Sequence, residues 1–194
     1  VPPFDPHSPQ AEKLFALLEQ HHTVIDDTVA LYETEFHTDD TPLRTFEPGI
    51  DHVAPPLLAA LDNPGVPVAQ AAGPRSIYAL MLAILGEAHK RGLPIVAGTD
   101  QSIPGYSLHR ELEIYVQAGF TPMEVLQAAT IVPARVMKLD RELGTVEVGK
   151  RADMVLLDAD PLQDIHNTRR ISKTISGGSV YDPAPLWRSV DFKP

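Results

Sequence analysis

The stretch from Arg75 to Asp100 constrains the fold more than any other. Ile77, Leu80, Met81, Ile84, Leu85 and Ala88 recur at the spacing of a helix with one apolar face, predicted from about Arg75 to Lys90. Arg91 and Gly92 supply the basic last turn and the glycine that close such a helix. The chain then runs through "PIVAGTD", Pro94 to Asp100, with β-branched Ile95 and Val96 and small residues behind them. This reads as a short strand buried on both faces, the kind found in parallel sheets. It delivers Asp100 to the carboxyl end of the strand, where α/β folds bind ligands and do chemistry. An aspartate there also serves as a turn or helix cap, so the strand context alone leaves both roles open.

The same cadence extends on both sides. Ser8 and Pro9 read as a cap and first-turn proline, with Ala11, Leu14, Phe15 and Leu18 as an apolar stripe ending near Gln20. A short strand is predicted at Thr23 to Ile25, broken by Asp26 and Asp27. Residues 35–74 are polar and rich in Pro, Gly and Asp, with one helical island around Pro56 to Leu61, and read as a long loop or lid. After Asp100, "SIPGY" marks a turn, and Leu108, Leu112, Tyr115 and Val116 a helix closing at Gly119. Thr121, Pro122 and Glu124 form a capping box for the next helix. From about Leu139 the character changes. "GTVEVGKRADMVLLDAD" predicts two strands with a tight connection, and Ile171 to Ile175, the Gly177-Gly178 pair and Val180–Tyr181 predict a hairpin. The last residues, 183–194, read as a loose tail with Trp187 able to rest on the body.

Composition removes several function classes. With 16 Lys+Arg against 26 Asp+Glu the formal net charge is -10, so neither a nucleic-acid footprint nor a polybasic membrane patch is expected. There is no cysteine, so a metal site would have to use His or carboxylate ligands. No apolar run is long enough to cross a bilayer, and the start shows no signal peptide; localisation stays open, with the cytoplasm favoured. At 194 residues the chain is too short for an eight-unit barrel, and its start at Val1 reads as a processed or partial chain.

Three pieces in order, "GTD" closing a strand, "AGFTPMEVLQAAT" across a helix start, and "GTVEVGKRADMVLLDADP" in the β module, strongly resemble the C-terminal part of the metal-dependent amidohydrolase superfamily, in the branch similar to imidazolonepropionase and prolidase-type enzymes. "HHTVIDDTVALYE" is more weakly similar to the seventh barrel strand. The resemblance implies an α/β fold: residues 1–138 as the last two strand-helix units of a (β/α)8 TIM-like barrel, and residues 139–182 as a β module of a composite sandwich. It implies hydrolysis of amide, cyclic amide or related carbon–nitrogen bonds of a small-molecule substrate, by water on one or two divalent metal ions, zinc by preference. In that pattern Asp100 matches the aspartate of the eighth strand, a metal ligand and general base. Thr99 and His109 are possible supporting residues. The HxH pair, the carboxylated Lys or Glu and the two further His ligands of the pattern have no counterpart here, so no stoichiometric metal is expected in this chain alone. The expected partner is a missing N-terminal barrel segment. The alternative is a non-catalytic binding or assembly module, inclined to self-associate through uncovered apolar faces.

The other polar residues have plainer readings. His21 and His22 suit a helix C-terminus, as does His89. His7, His37 and His52 read as solvated loop residues, and His166 as exposed on the β module. Asp153, Asp158 and Asp160 read as strand-end and turn residues, and Lys150 and Arg151 as side chains facing water.

Overall fold

Each helix start has a local or a distant cause. In the computed structural model, which describes residues 4–61, 64–100 and 103–194, Ser8 caps α1 (Pro9–Gln20) by accepting from the Ala11 amide. β1 (Ile25–Asp26) follows, beginning two residues and ending one residue after the predicted strand. The next element is one the sequence reading lacks: α2 (Val29–Phe36), with Thr28 in the left-handed region at φ 46 and no capping side chain of its own. Three short 3₁₀ turns and α3 (Pro55–Leu61) fill residues 35–74. These residues fold around a small core of Leu43, Ile50, Val53 and Ile103, so the segment is a packed layer with its own interior.

α4 (Ala72–Lys90) begins three residues before the predicted start, because Pro74 sits in the first turn, where its missing N–H costs nothing. β2 (Ile95–Val96) pairs in parallel with β1, Ile25 opposite Ile95 and Asp26 opposite Val96. α5 (Ser107–Gln117), α6 (Pro122–Ala128) and α7 (Ile131–Val136) follow. The Thr121–Glu124 capping box is formed in both directions at α6. The main core, including Phe15, Val29, Leu85, Ile95, Leu112, Tyr115 and Val125, lies between these helices and the outer face of the strand pair.

The β module is an antiparallel sheet of β3 (Met154–Leu157), β4 (Ile171–Ser176) and β5 (Ser179–Tyr181), in that order. Gly177 and Gly178, at φ 54 and 82, make the β4–β5 turn that only a left-handed pair allows. The strand expected at "GTVEV" is absent: Val146 and Val148 alternate as a strand would, but they are exposed and no described strand lies beside them. Residues expected as a loose tail form α8 (Pro183–Ser189), held by Trp187 stacked between Tyr106 and Phe192 at 5.5 and 5.4 Å. Two further corrections concern polar residues. Lys150 reaches Thr145 and Glu147, and Arg151 pairs with Asp153 at 2.8 Å. His37 is buried, its Nδ1 2.6 Å from the Thr34 carbonyl. Its carbonyl accepts the Val66 amide at 2.8 Å in the bridge between Thr38 and Val66, and its ring lies beside Gly65.

α5 carries the unusual chemistry. Arg110, Glu111 and Glu113 are all buried, while Leu108, part of the predicted apolar stripe, is exposed. Arg110 forks onto Glu33 of α2 at 2.6 and 2.7 Å and reaches Glu113 at 3.0 Å. Glu113 accepts from Arg169 at 2.6 Å, and Arg169 forks onto Glu47 at 2.8 and 3.2 Å. Burial opposes the Arg110 charge, but the Glu33 and Glu113 carboxylates outweigh it and hold the guanidinium firmly protonated. Removing one member of such a chain strands buried charges. Arg110→Met is expected to cost about 3–5 kcal/mol, read as a lowered urea midpoint with unchanged slope.

Candidate active site

Asp100 stands four residues beyond Val96, exposed, with φ 42. A left-handed conformation in a non-glycine residue is uncommon, although aspartate tolerates it better than most, and here it turns the chain sharply at the strand end. The approach to it is crowded on one side. A methyl group on Gly98 would stand 1.7 Å from Asp26 Oδ1 and 2.9 Å from Thr28 Cγ2, so the Asp26 carboxylate lies directly across the β2 backbone. Glycine is required there for that reason. Thr99 and His109 are brought to one wall: both line a cleft of about 440 Å³ with Leu112, Leu126 and Ile171. Asp100 is not among the residues lining it, so the structure groups the two supporting candidates with each other rather than with the carboxylate.

His109 is fixed by a defined tautomer. Thr168 Oγ1 donates to the Ile165 carbonyl at 2.9 Å, which leaves it an acceptor for the His109 Nδ1–H at 3.1 Å. Burial, and then the Arg169 charge, pull the ring down to about 4, so it is neutral at pH 7. A second cleft of about 730 Å³, with Tyr106, Trp187 and Arg169 in its wall, shares His109, Gly105 and Ile171 with the first.

Beneath the strand ends lies a polar group that sequence reasoning missed. Glu111 is fully buried, and its two oxygens accept the Val29 and Ala30 amides at 3.0 and 2.6 Å, capping α2 from 82 residues away. Burial pushes its carboxyl up to about 8. One turn later the Tyr115 hydroxyl lies 2.7 Å from Asp27 Oδ1 and 2.9 Å from the Val96 carbonyl, and burial raises Asp27 as well. The sequence signal was the charge-dense "HRELE" in a helix whose remainder, Ser107 and Gln117 at its ends apart, is apolar or aromatic.

No group of three His, Cys, Asp or Glu side chains able to hold a metal occurs among the described residues. Asp100 is a single donor, and the described residues do not make a complete metal site with it.

A sequence profile of the amidohydrolase family matches residues 22–181, across both strands, Asp100 and the β module. The chain belongs to that family. It is 40% identical over 78 residues to an imidazolonepropionase of Caldanaerobacter subterraneus subsp. tengcongensis, which covers 38% of this chain and 19% of the relative. It is 29% identical over 152 residues to the imidazolonepropionase of Brevibacillus brevis, covering 73% and 33%. A Xaa-Pro dipeptidase crystallised with bound methionine superposes with a TM-score of 0.66 at 19% identity, over 88% of this chain and 37% of that one. The chain thus spans a third or less of these two curated relatives, and the likeness to the dipeptidase is one of fold. Among amidohydrolase-type structures the α/β, barrel-related architecture found here is shared.

The shifted histidine predicts a pH response. An ordinary imidazole takes its proton near 6.5, His109 only near 4, so between those values the unfolded chain binds more protons than the folded one. The stability this contributes is complete above pH 6.5 and is lost as the pH falls toward 4. His109→Asn should flatten that loss by up to about 1.4 kcal/mol per pH unit, measured as urea unfolding at pH 7, 5.5 and 4.5.

Proposed function

We propose that this chain forms the closing part of a hydrolase acting on carbon–nitrogen bonds of small molecules, cyclic amides or dipeptides, with Asp100 as its general base. Residues 1–138 would be the last two units of the barrel, with 35–74 as a layer over its mouth. Residues 139–182 would belong to a composite sandwich, and α8 would seal their junction. The observation that carries this reading is the position of Asp100: an exposed carboxylate at the carboxyl end of a parallel strand, inside the stretch that matches the amidohydrolase family. A carboxylate so placed can take a proton from an attacking water and return it to the leaving nitrogen. The imidazolonepropionase and dipeptidase relatives support the bond class. A divalent metal, in a complete site, would supply an activated water. Asp100 would be this chain's one donor to it, and the other donors would come from outside the described residues.

A second reading has an observation of its own. Val146, Val148, Val155, Leu156 and Val180 of the β module are all more than half exposed. They offer exposed apolar surface, with Leu156 and Val180 on one side of the sheet and Val155 on the other, suited to assembly without catalysis. Turnover separates the two readings. The product of the complete reading frame should hydrolyse an imidazolone or an Xaa-Pro dipeptide, and Asp100→Asn should lower kcat by about 10²-fold or more with the melting temperature unchanged. Unaltered turnover in Asp100→Asn would remove Asp100 from the chemistry. Concentration-dependent association of the chain with no turnover would favour the assembly reading.

A further inference from the structure

The β1–β2 ladder ends at the Asp26–Val96 pair, four residues short of Asp100. Backbone pairing between the strands therefore does not hold the stretch that presents the carboxylate. Beyond the ladder, the Ala97 N–H donates to the Ala128 carbonyl at 3.0 Å and ties the stretch to α6. A further tie is a side chain. Tyr115 projects from α5 into the core, fully buried, with its ring 5.1 Å from that of Phe120 and its hydroxyl between the two strand ends. Its single proton is shared between two acceptors, Asp27 Oδ1, just past β1, at 2.7 Å, and the carbonyl of Val96, the last paired residue of β2, at 2.9 Å. A phenylalanine would fill the same volume; the hydroxyl would cost free energy in this apolar setting unless it were bonded.

The same helix turn carries Glu111, which holds the amides of Val29 and Ala30 directly after β1. Thus α5, which begins seven residues after Asp100, grips β1 through Asp27 and α2, and β2 through Val96. We propose that the Tyr115 hydroxyl is a positioning group for Asp100: it locks the carboxyl ends of the two strands to one another and so fixes where the carboxylate stands. The inference rests on the reading of Asp100 given above, and deepens it by naming the residue that acts through the strand.

The test uses Tyr115→Phe in the product of the complete reading frame, with two readouts. Amide hydrogen exchange in the stretch 97–100 should quicken at least about tenfold while α1 and α4 exchange as in the parent. For an imidazolone or Xaa-Pro dipeptide that the parent hydrolyses, kcat should fall at least about tenfold with KM within about twofold, the pattern of a displaced reacting group. Asp27→Asn keeps an acceptor for the phenol proton and should retain most of kcat, whereas Asp27→Ala should resemble Tyr115→Phe and replaces it as the test variant if Tyr115→Phe does not fold. Unchanged exchange at 97–100, or a lowered melting temperature with kcat intact, would overturn the proposal. Failure of the underlying reading looks different: Asp100→Asn would then keep full turnover, and hydrogen exchange would still decide whether the hydroxyl orders the strand end.

Discussion

Charge buried on one helix organises this structure. α5 places Arg110, Glu111 and Glu113 out of water, and each is spent on a segment distant in sequence: Glu33 of α2, the first amides of α2, and Arg169 before β4. Arg169 carries the chain on to Glu47, whose carboxylate also accepts the Gly49 amide at 2.9 Å. Three carboxylates and two guanidiniums thus alternate, and the surplus negative charge is eased by donors at both ends, the Gly49 amide and the Tyr78 hydroxyl on Glu33. An arrangement like this is poor as a source of net stability, because desolvating the ions consumes most of what their attraction returns. Its strength lies in register, since a misplaced segment would leave a buried ion alone. That suits a molecule in which the strand pair, the layer over residues 35–74 and the β module meet around a single helix.

The same helix shows where the sequence was legible and where it was not. Elements whose causes are local were readable: the Ser8 cap, the Thr121–Glu124 box, the long apolar stripe of α4 and the Gly177-Gly178 turn. α2 was not, because its capping group is Glu111, 82 residues away, and nothing around Thr28 announces a helix. α5 was found, with Leu112 and Tyr115 of its apolar stripe in the core, but its buried surface is wider than that stripe. Its apolar stripe suggested one buried face, and Leu108 proves exposed while three charged residues do not. A periodicity argument assumes that charge means water, and it fails wherever the partner ion arrives from another segment. "GTVEV" fails in the opposite sense: its alternation is that of a strand, but a strand also needs a neighbour, which no pattern within the segment can supply.

The candidate site divides along the same line. Asp100 was singled out from its strand and its resemblance to a family pattern, and the structure has it four residues past the last paired residue of β2, exposed, in a left-handed turn. Gly98 is one of the small residues behind the strand, and what its missing side chain admits is the Asp26 carboxylate, a partner no local rule would name. His109 shares a cleft with Thr99, but its hydrogen-bond partner Thr168 lies 59 residues later, and the Arg169 charge beside it adds to burial in lowering the basicity of the ring.

A ladder of only two residue pairs is weak compared with the helices packed on it, and a barrel strand normally derives its rigidity from neighbours on both sides. Among the described residues β2 has one neighbour. Its end is held instead from outside, by the Tyr115 hydroxyl and the α6 carbonyl, and is overlaid by Asp26. The hydroxyl reaches it from a fully buried ring, where apolar packing already excludes water. Beyond Val96 the chain has left the ladder and Asp26 lies across Gly98, so the two-residue period of a strand no longer applies there. The direction taken by the exposed Asp100 carboxylate is set by the left-handed turn at its own backbone, and that turn starts from the strand end that Tyr115 and Ala128 hold.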